Sequence, residues 1–255
     1  MSGILKGKRA LVVGVANDRS IAWGVASTMA ATGARLAVTY LNAKAEPYVR
    51  PLAEQAGAEL ILPLDVAEPA QEAAVFEAIA KTWGGLDILV HSIAFAPRDD
   101  LHGRVVDVSA EGFALAMDVS VHSFIRLCRL AEPLMKEGGA CLTMSFHGAE
   151  RVVSTYNVMG PVKAALEATA RELASELGPS GITVNVLSPG VMATRAAGGI
   201  ASFDAMLEAA ASRSPMKRLA TIEDVGAAAV FLASHAARNI TGETLHVDAG
   251  YQIMG

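Results

Sequence analysis

The sequence has two cysteines in 255 residues, few aromatic residues (5%) and no apolar run approaching the roughly 18 residues that a membrane span requires. Cys128 and Cys141 lie thirteen positions apart, outside any Cys-x-x-Cys and with no histidine at ligand spacing. They read as buried free thiols of a reduced compartment, not as a disulfide or a metal site. The six histidines, at 91, 102, 122, 147, 235 and 246, form no i, i+4 pair and no His-Glu-x-x-His, which excludes a metal site of that kind. Ser145 and Ser188 lie outside any Gly-x-Ser-x-Gly elbow, so a serine hydrolase is excluded as well. Basic charge is in short supply: 21 Lys and Arg stand against 26 Asp and Glu, a net charge of −5, which argues against a nucleic-acid surface. The opening residues, MSGILKGKRA, are too short and polar for the apolar region of a signal peptide. There is no repeat, low-complexity segment or linker. The sequence is expected to be a cytoplasmic protein of one domain over 1–255.

What is present is apolar material, 52% of the residues with a mean hydropathy of +0.37, enough for a large core. It is arranged in short β-branched runs, each followed by a longer segment of helical period. The runs predicted as strands are Arg9–Val15, Arg35–Tyr40, Ala58–Leu64, Asp87–Ile93, Ala140–Phe146, Ile182–Ser188 and Glu243–Asp248. Several are apolar nearly throughout, as strands covered on both faces must be. Four-residue spacing marks helix faces at Ile21, Val25 and Met29, at Tyr48, Leu52 and Ala56, and at Val75, Ile79 and Trp83. The longest stripe runs from Met159 through Val162, Leu166, Ala170 and Leu173 to Leu177. Strand–helix alternation over the whole length predicts an α/β fold, a single doubly wound Rossmann domain with a seven-stranded parallel sheet. Its ligand crevice should lie at the carboxyl ends of the strands. Residues 191–235 carry no predicted strand. With Gly198-Gly199 and Pro215, the stretch at about 191–215 reads as a substrate flap.

Several strand ends carry residues suited to a dinucleotide. After the first strand, Gly14 permits a tight turn, Ser20 can cap the helix that Ile21 begins, and Gly24 lets helix and strand approach. A helix N-terminus there is an anion site for a pyrophosphate. Asp65-Val66 closes the third strand, where a carboxylate either accepts from an adenine amino group or caps the next helix; spacing alone favours the cap. His91-Ser92-Ile93-Ala94 closes the fourth, with small residues that leave room for a ribose. No acidic residue ends the second strand, which leaves NAD and NADP both open. Tyr156 and Lys163, seven residues apart at the opening of the longest predicted helix, are expected to lie on one face of it. A nearby ammonium would draw the phenol toward the operating pH and could hold ribose hydroxyls. Without further support, the same pair reads as a surface lysine and a half-buried core tyrosine.

Taken together, these residues resemble the short-chain dehydrogenase/reductase superfamily, and within it the NADH-dependent, type I enoyl-acyl-carrier-protein reductases. Ordinary members carry Tyr-x-x-x-Lys, which would put the tyrosine at position 159; here Met159 stands there and the tyrosine lies seven before Lys163. The Gly14…Ser20-Ile21-Ala22…Gly24 loop replaces their three-glycine loop, and His91-Ser92-Ile93-Ala94 replaces Asn-Asn-Ala-Gly. The blocks Gly148-Ala149-Glu150-Arg151, Tyr156-Asn157-Val158-Met159-Gly160, Thr221–Gly226 and Gly242-Glu243…His246-Val247-Asp248 are also similar to this family. The resemblance implies hydride delivery from NADH, or from NADPH, to a trans-2-enoyl thioester carried by acyl carrier protein, in a homotetramer. It implies Tyr156 and Lys163 as catalytic residues. Gly14, Ser20, Ile21, Asp65, Val66, Ser92, Ile93, Lys163 and Thr194 would hold the cofactor. Phe146, Met159, Ala196, Ile200, Phe203 and Met206 would line the acyl site. Phe146 takes the place of a second tyrosine in the family's commonest pattern, as in its mycobacterial type. Two other readings compete: a short-chain enzyme acting on a carbonyl or alcohol, and a catalytically silent dinucleotide-binding redox sensor.

Overall fold

The computed structural model describes residues 3–153, 156–192 and 203–254, without the side chains of Phe203, Asp204 and Met206. Seven strands alternate with helices in chain order. They are β1 (Arg9–Val13), α1 (Ile21–Ala31), β2 (Arg35–Tyr40), α2 (Glu46–Gln55), β3 (Leu60–Pro63), α3 (Pro69–Trp83) and β4 (Ile88–His91). There follow α4 (Arg98–His102), α5 (Ala110–Met117), α6 (Ser123–Ala131), β5 (Gly139–Met144) and α7 (Met159–Leu177). Last come β6 (Ile182–Pro189), α8 (Phe203–Arg213), α9 (Ile222–Leu232) and β7 (Thr244–Val247). The sheet order is β3-β2-β1-β4-β5-β6-β7 and every neighbouring pair is parallel. The α/β class and the seven-stranded parallel sheet therefore agree with the sequence expectation. Order reverses between β1 and β4, which opens a crevice at their carboxyl ends.

The side-chain period of two divides the core into two layers. Leu11 and Val13 of β1 face one layer with α3, α6 and α7; Ala10 and Val12 face the other with α1, α2 and α9. The α7 stripe is buried as its spacing predicts, and Lys163 and Glu167 are buried within it. On α2 the predicted face is corrected. Val49 and Ala53 are buried, whereas Tyr48 is 60% exposed. Two i, i+4 rows lie side by side on this helix, and the row of smaller side chains packs closer to the sheet while the phenol stays in water.

A second correction concerns Gly24. A Cβ there would lie 2.4 Å from the carbonyl oxygen of Ile222, so the glycine admits helix α9, not a strand. The contact is reciprocal, since a Cβ on Gly226 would lie 2.5 Å from the Gly24 carbonyl oxygen and 2.4 Å from Thr28 Oγ1. Gly226→Ala should therefore separate α1 from α9 and destabilise the fold by about 3 kcal/mol, at the upper end of overpacking costs. Gly178→Ala is the control: it meets nothing within 4 Å and its backbone is right-handed helical, so it should be neutral or slightly stabilising. Denaturant unfolding of both variants checks this; equal midpoints would mean that the helices adjust without cost.

Candidate functional site

The strand ends of the crevice are held together by main-chain contact. Gly14 follows β1 with φ +102°, and a Cβ on it would lie 2.2 Å from the Ser92 carbonyl oxygen beyond β4. Only glycine gives both this conformation and this approach. Ser20 sits at the N-cap of α1, but its hydroxyl does not cap the helix: it turns back to donate to the Asn17 carbonyl at 2.7 Å. The backbone N–H groups of Ile21 and Ala22 consequently make no hydrogen bond among the described residues and point out of the helix end. Such a helix end suits an anion. An open hollow of about 260 Å³ lies beside it, lined by Arg19, Met192 and Leu219–Glu223. A larger hollow of about 350 Å³, between α1 and α2, touches none of the predicted site residues.

Asp65 does not cap a helix either, because α3 begins four residues later. Its Oδ1 accepts from the Ala67 N–H at 3.0 Å, which leaves Oδ2 as an open acceptor. The N–H groups of Asp65 and Glu68 are bonded to Gln71 and Asp65, whereas that of Val66 has no partner among the described residues. A free carboxylate oxygen beside a free N–H complements the amino group and adjacent ring nitrogen of an adenine edge. Across the crevice, His91 at the end of β4 is fully buried between Thr143 Oγ1 (2.8 Å) and Ser123 Oγ (2.9 Å). Burial, and to a lesser degree the Lys163 and Arg126 cations, push its pKa down to about 3, so the imidazole is a neutral strut.

Tyr156 and Lys163 do not share a helix. The helix α7 begins at Met159, after a turn in which the Tyr156 carbonyl accepts from the Met159 N–H. Asn157 takes the left-handed conformation (φ +45°) that asparagine tolerates, and its side-chain amide donates to the Leu101 carbonyl at 2.6 Å. That anchored turn, not helical spacing, places the phenol. Its ring lies 4.7 Å from the Phe146 ring at 58°, over the main chain of Gly148, where a Cβ would come within 2.4 Å of it. Burial raises the Tyr156 pKa above its ordinary value, so the expected pull toward neutral pH by Lys163 is overturned and the group stays a neutral donor. Lys163 is buried and donates from Nζ to the Met144 carbonyl at the end of β5, 2.6 Å away. Burial lowers its pKa to about 8 against the opposing pull of Glu167, so it remains mainly protonated at neutral pH.

Glu167, missed in the sequence, lies one turn below Lys163 and accepts a hydrogen bond from the Ser145 hydroxyl. Its i, i+4 spacing from Lys163 was the available signal. Met159 is buried at the start of α7. Thr194, Ala196 and Ile200 lie outside the described residues, as do the side chains of Phe203 and Met206; of the flap, only its ends are described, including α8. Among the described residues no cluster of His, Cys, Asp or Glu suits a metal ion, Cys128 and Cys141 are free and buried, and no helix is long and apolar enough to cross a membrane.

The cleft has close counterparts. Residues 14–252 match the family model described as Enoyl-(Acyl carrier protein) reductase. The NADH-dependent enoyl-[acyl-carrier-protein] reductase of Aquifex aeolicus is 48% identical, covering 99% of this chain and 94% of its own. The solved Anaplasma phagocytophilum reductase, in complex with NAD, is 44% identical with a TM-score of 0.96, covering 100% of this chain and 97% of its own. The Bacillus cereus reductase, solved with NADP+ and indole naphthyridinone, is 46% identical with a TM-score of 0.97 and full coverage of both chains. With likeness of this extent over its whole length, the chain belongs to the enoyl-(acyl carrier protein) reductase family.

Proposed function

We propose that this chain reduces the double bond of trans-2-enoyl thioesters carried by acyl carrier protein, using NADH, with NADPH as the second choice, in fatty-acid biosynthesis. The observation that carries the reading is Tyr156, a half-buried phenol held against the Phe146 ring and over Gly148 in a crevice whose strand ends suit a dinucleotide. The fit of the cofactor rests on the unpaired N–H groups of Ile21 and Ala22 and on the acceptor–donor pair of Asp65 and Val66. Gly14, Ser20 and Ile21 would shape the pyrophosphate site, Asp65 and Val66 the adenine site, and Ser92 and Ile93 the ribose wall, with Thr194 closing from the flap. When bound, the reduced nicotinamide supplies a hydride.

That hydride would add to the β-carbon of the substrate, the double-bond electrons would move to the thioester oxygen as an enolate, and a proton from solvent would then complete the α-carbon. Tyr156 donates its hydroxyl hydrogen to that oxygen, stabilising charge that exists only near the transition state. Lys163, fixed by the Met144 carbonyl, uses its remaining N–H groups to hold ribose hydroxyls. Phe146, Met159, Ala196, Ile200, Phe203 and Met206 supply apolar lining for the acyl chain. The Phe146 ring also buttresses Tyr156 and offers the substrate no hydrogen bond.

Oxidation of NADH and of NADPH, measured first with a crotonyl thioester and then with a panel of ketones, tests this. The expected result is NADH consumption with the thioester only. Ketone reduction alone would establish the carbonyl enzyme, and cofactor binding without turnover of either would establish the sensor. We further propose a cytoplasmic homotetramer. Exposed Phe113, Leu115 and Ile125 on α5 and α6, and Phe231 and Leu245 on α9 and β7, supply apolar surface that such an assembly would cover. Sedimentation equilibrium at four times the chain mass checks the assembly.

A further inference from the structure

We propose that Arg126 is a positioning residue for the adenine end of the cofactor, holding the β3–α3 loop from helix α6. This rests on the cofactor reading above and assigns a role to a side chain outside the crevice. Between α5 and α6 the helix widens into a single π turn, Asp118–His122. Such turns insert an extra residue and re-aim the side chains that follow them. Here the turn is tied in two directions. Ser120 Oγ accepts from the Phe95 N–H at 3.0 Å and donates to the Phe95 carbonyl at 3.2 Å, gripping the loop that follows Ser92 and Ile93. Asp118 Oδ1 accepts from Arg126 Nη1 at 2.7 Å.

Arg126 is 13% exposed and each of its three guanidinium nitrogens makes a hydrogen bond. Nε donates to both oxygens of Glu72 on α3 at 3.1 Å, Nη1 also meets His122 Nδ1 at 2.9 Å, and Nη2 donates to the Val66 carbonyl at 2.5 Å. Glu72 is only 2% exposed and faces the guanidinium with both oxygens. The Val66 carbonyl is thereby fixed in the loop whose Asp65 carboxylate and Val66 N–H face the proposed adenine. Neither group can recognise an adenine edge unless the loop is held: among the described bonds, Leu64 N–H ties its first residue to the Tyr40 carbonyl of β2, and the ties of the residues that follow, Arg126 apart, are local, to Asp65, Glu68 and Gln71. A planar guanidinium spreads its donors in a fixed fork toward a carbonyl and two carboxylates, whereas an ammonium gathers its three donors at one point.

The test is binding, not turnover. Wild type, Arg126→Gln and Glu72→Gln are titrated calorimetrically with NADH, with ADP-ribose and with reduced nicotinamide mononucleotide, which lacks the adenosine half. Arg126→Gln should raise the Kd for NADH and ADP-ribose about tenfold, the worth of one charged hydrogen bond, and leave the mononucleotide unchanged. Glu72→Gln keeps the bond to Val66 and should stay within about twofold of wild type. If Arg126→Gln fails to fold because Glu72 is left unpaired, the double variant Glu72→Gln with Arg126→Gln removes that charge and should show the same selective loss. Equal weakening of all three ligands, or an unchanged Kd for NADH, would overturn the role of Arg126. A wild type that binds neither NADH nor ADP-ribose would remove the cofactor reading itself, and the positioning role with it.

Discussion

Tyr156→Phe is expected to lower kcat by about 10²–10³, roughly 3–4 kcal/mol of transition-state stabilisation, while KM changes little. The substitution keeps the ring, so the contact with Phe146 and the fit over Gly148 remain and only the hydroxyl is lost. Because burial holds the Tyr156 pKa above its ordinary value, the phenol has no titration of its own to contribute near neutrality. The pH profile of kcat in the wild type should therefore show no limb that disappears in Tyr156→Phe. Steady-state kinetics with one enoyl thioester from about pH 6 to 9 measure both features, spanning the range where a general acid is normally tuned. A variant with wild-type kcat would remove Tyr156 from the chemistry and overturn the proposed mechanism. The companion change Phe146→Tyr needs no separate mechanism: a hydroxyl there either finds the substrate oxygen or a water, or costs about 1–3 kcal/mol unpaired.

The fold was legible because its information is local. Seven β-branched runs, alternating with segments of helical period, place seven parallel strands, and the α7 stripe is buried along its length. Where two local patterns overlap, locality misleads: on α2, Tyr48-Leu52 and Val49-Ala53 have the same period, and only the distance to the sheet separates them. The Tyr156 turn was hidden for a different reason. A left-handed Asn157 breaks the helix register, and the bond that stabilises it goes to Leu101, fifty-six residues earlier. Gly24 shows the same limit, since its neighbour Ile222 is almost two hundred residues away. Arg126 and Val66 are sixty apart. Residue types at strand ends reveal where a ligand can sit; what holds those ends rigid depends on tertiary partners that no spacing rule pairs.

Lys163→Met should weaken NADH by about 10²-fold, the worth of two charged hydrogen bonds of about 1.5 kcal/mol each to ribose hydroxyls. The same group predicts how affinity and stability part company as pH rises. Burial, opposed by Glu167, brings the Lys163 pKa from 10.5 in the open chain to about 8 in the fold. Between those values the unfolded chain binds more protons than the folded one, so stability on this group's account rises with pH, by about 3 kcal/mol over the window. Below pH 8 the folded protein carries the charge and its full burial cost. Cofactor binding runs the other way, because a deprotonated amine loses the charge that strengthens its hydrogen bonds to the ribose. NADH affinity should then fall above about pH 8 while resistance to denaturant does not, a divergence that general alkaline unfolding cannot produce. Lys163→Met abolishes the divergence: its affinity is low and level across the window, and its stability loses the rise. Calorimetric titration with NADH and denaturant unfolding, each from about pH 7 to 10, decide it, the interval lying around the shifted pKa. An affinity that is unchanged in the variant, or a wild-type affinity that ignores pH through this range, would take Lys163 out of the cofactor site and leave it a buried cation serving the Met144 carbonyl.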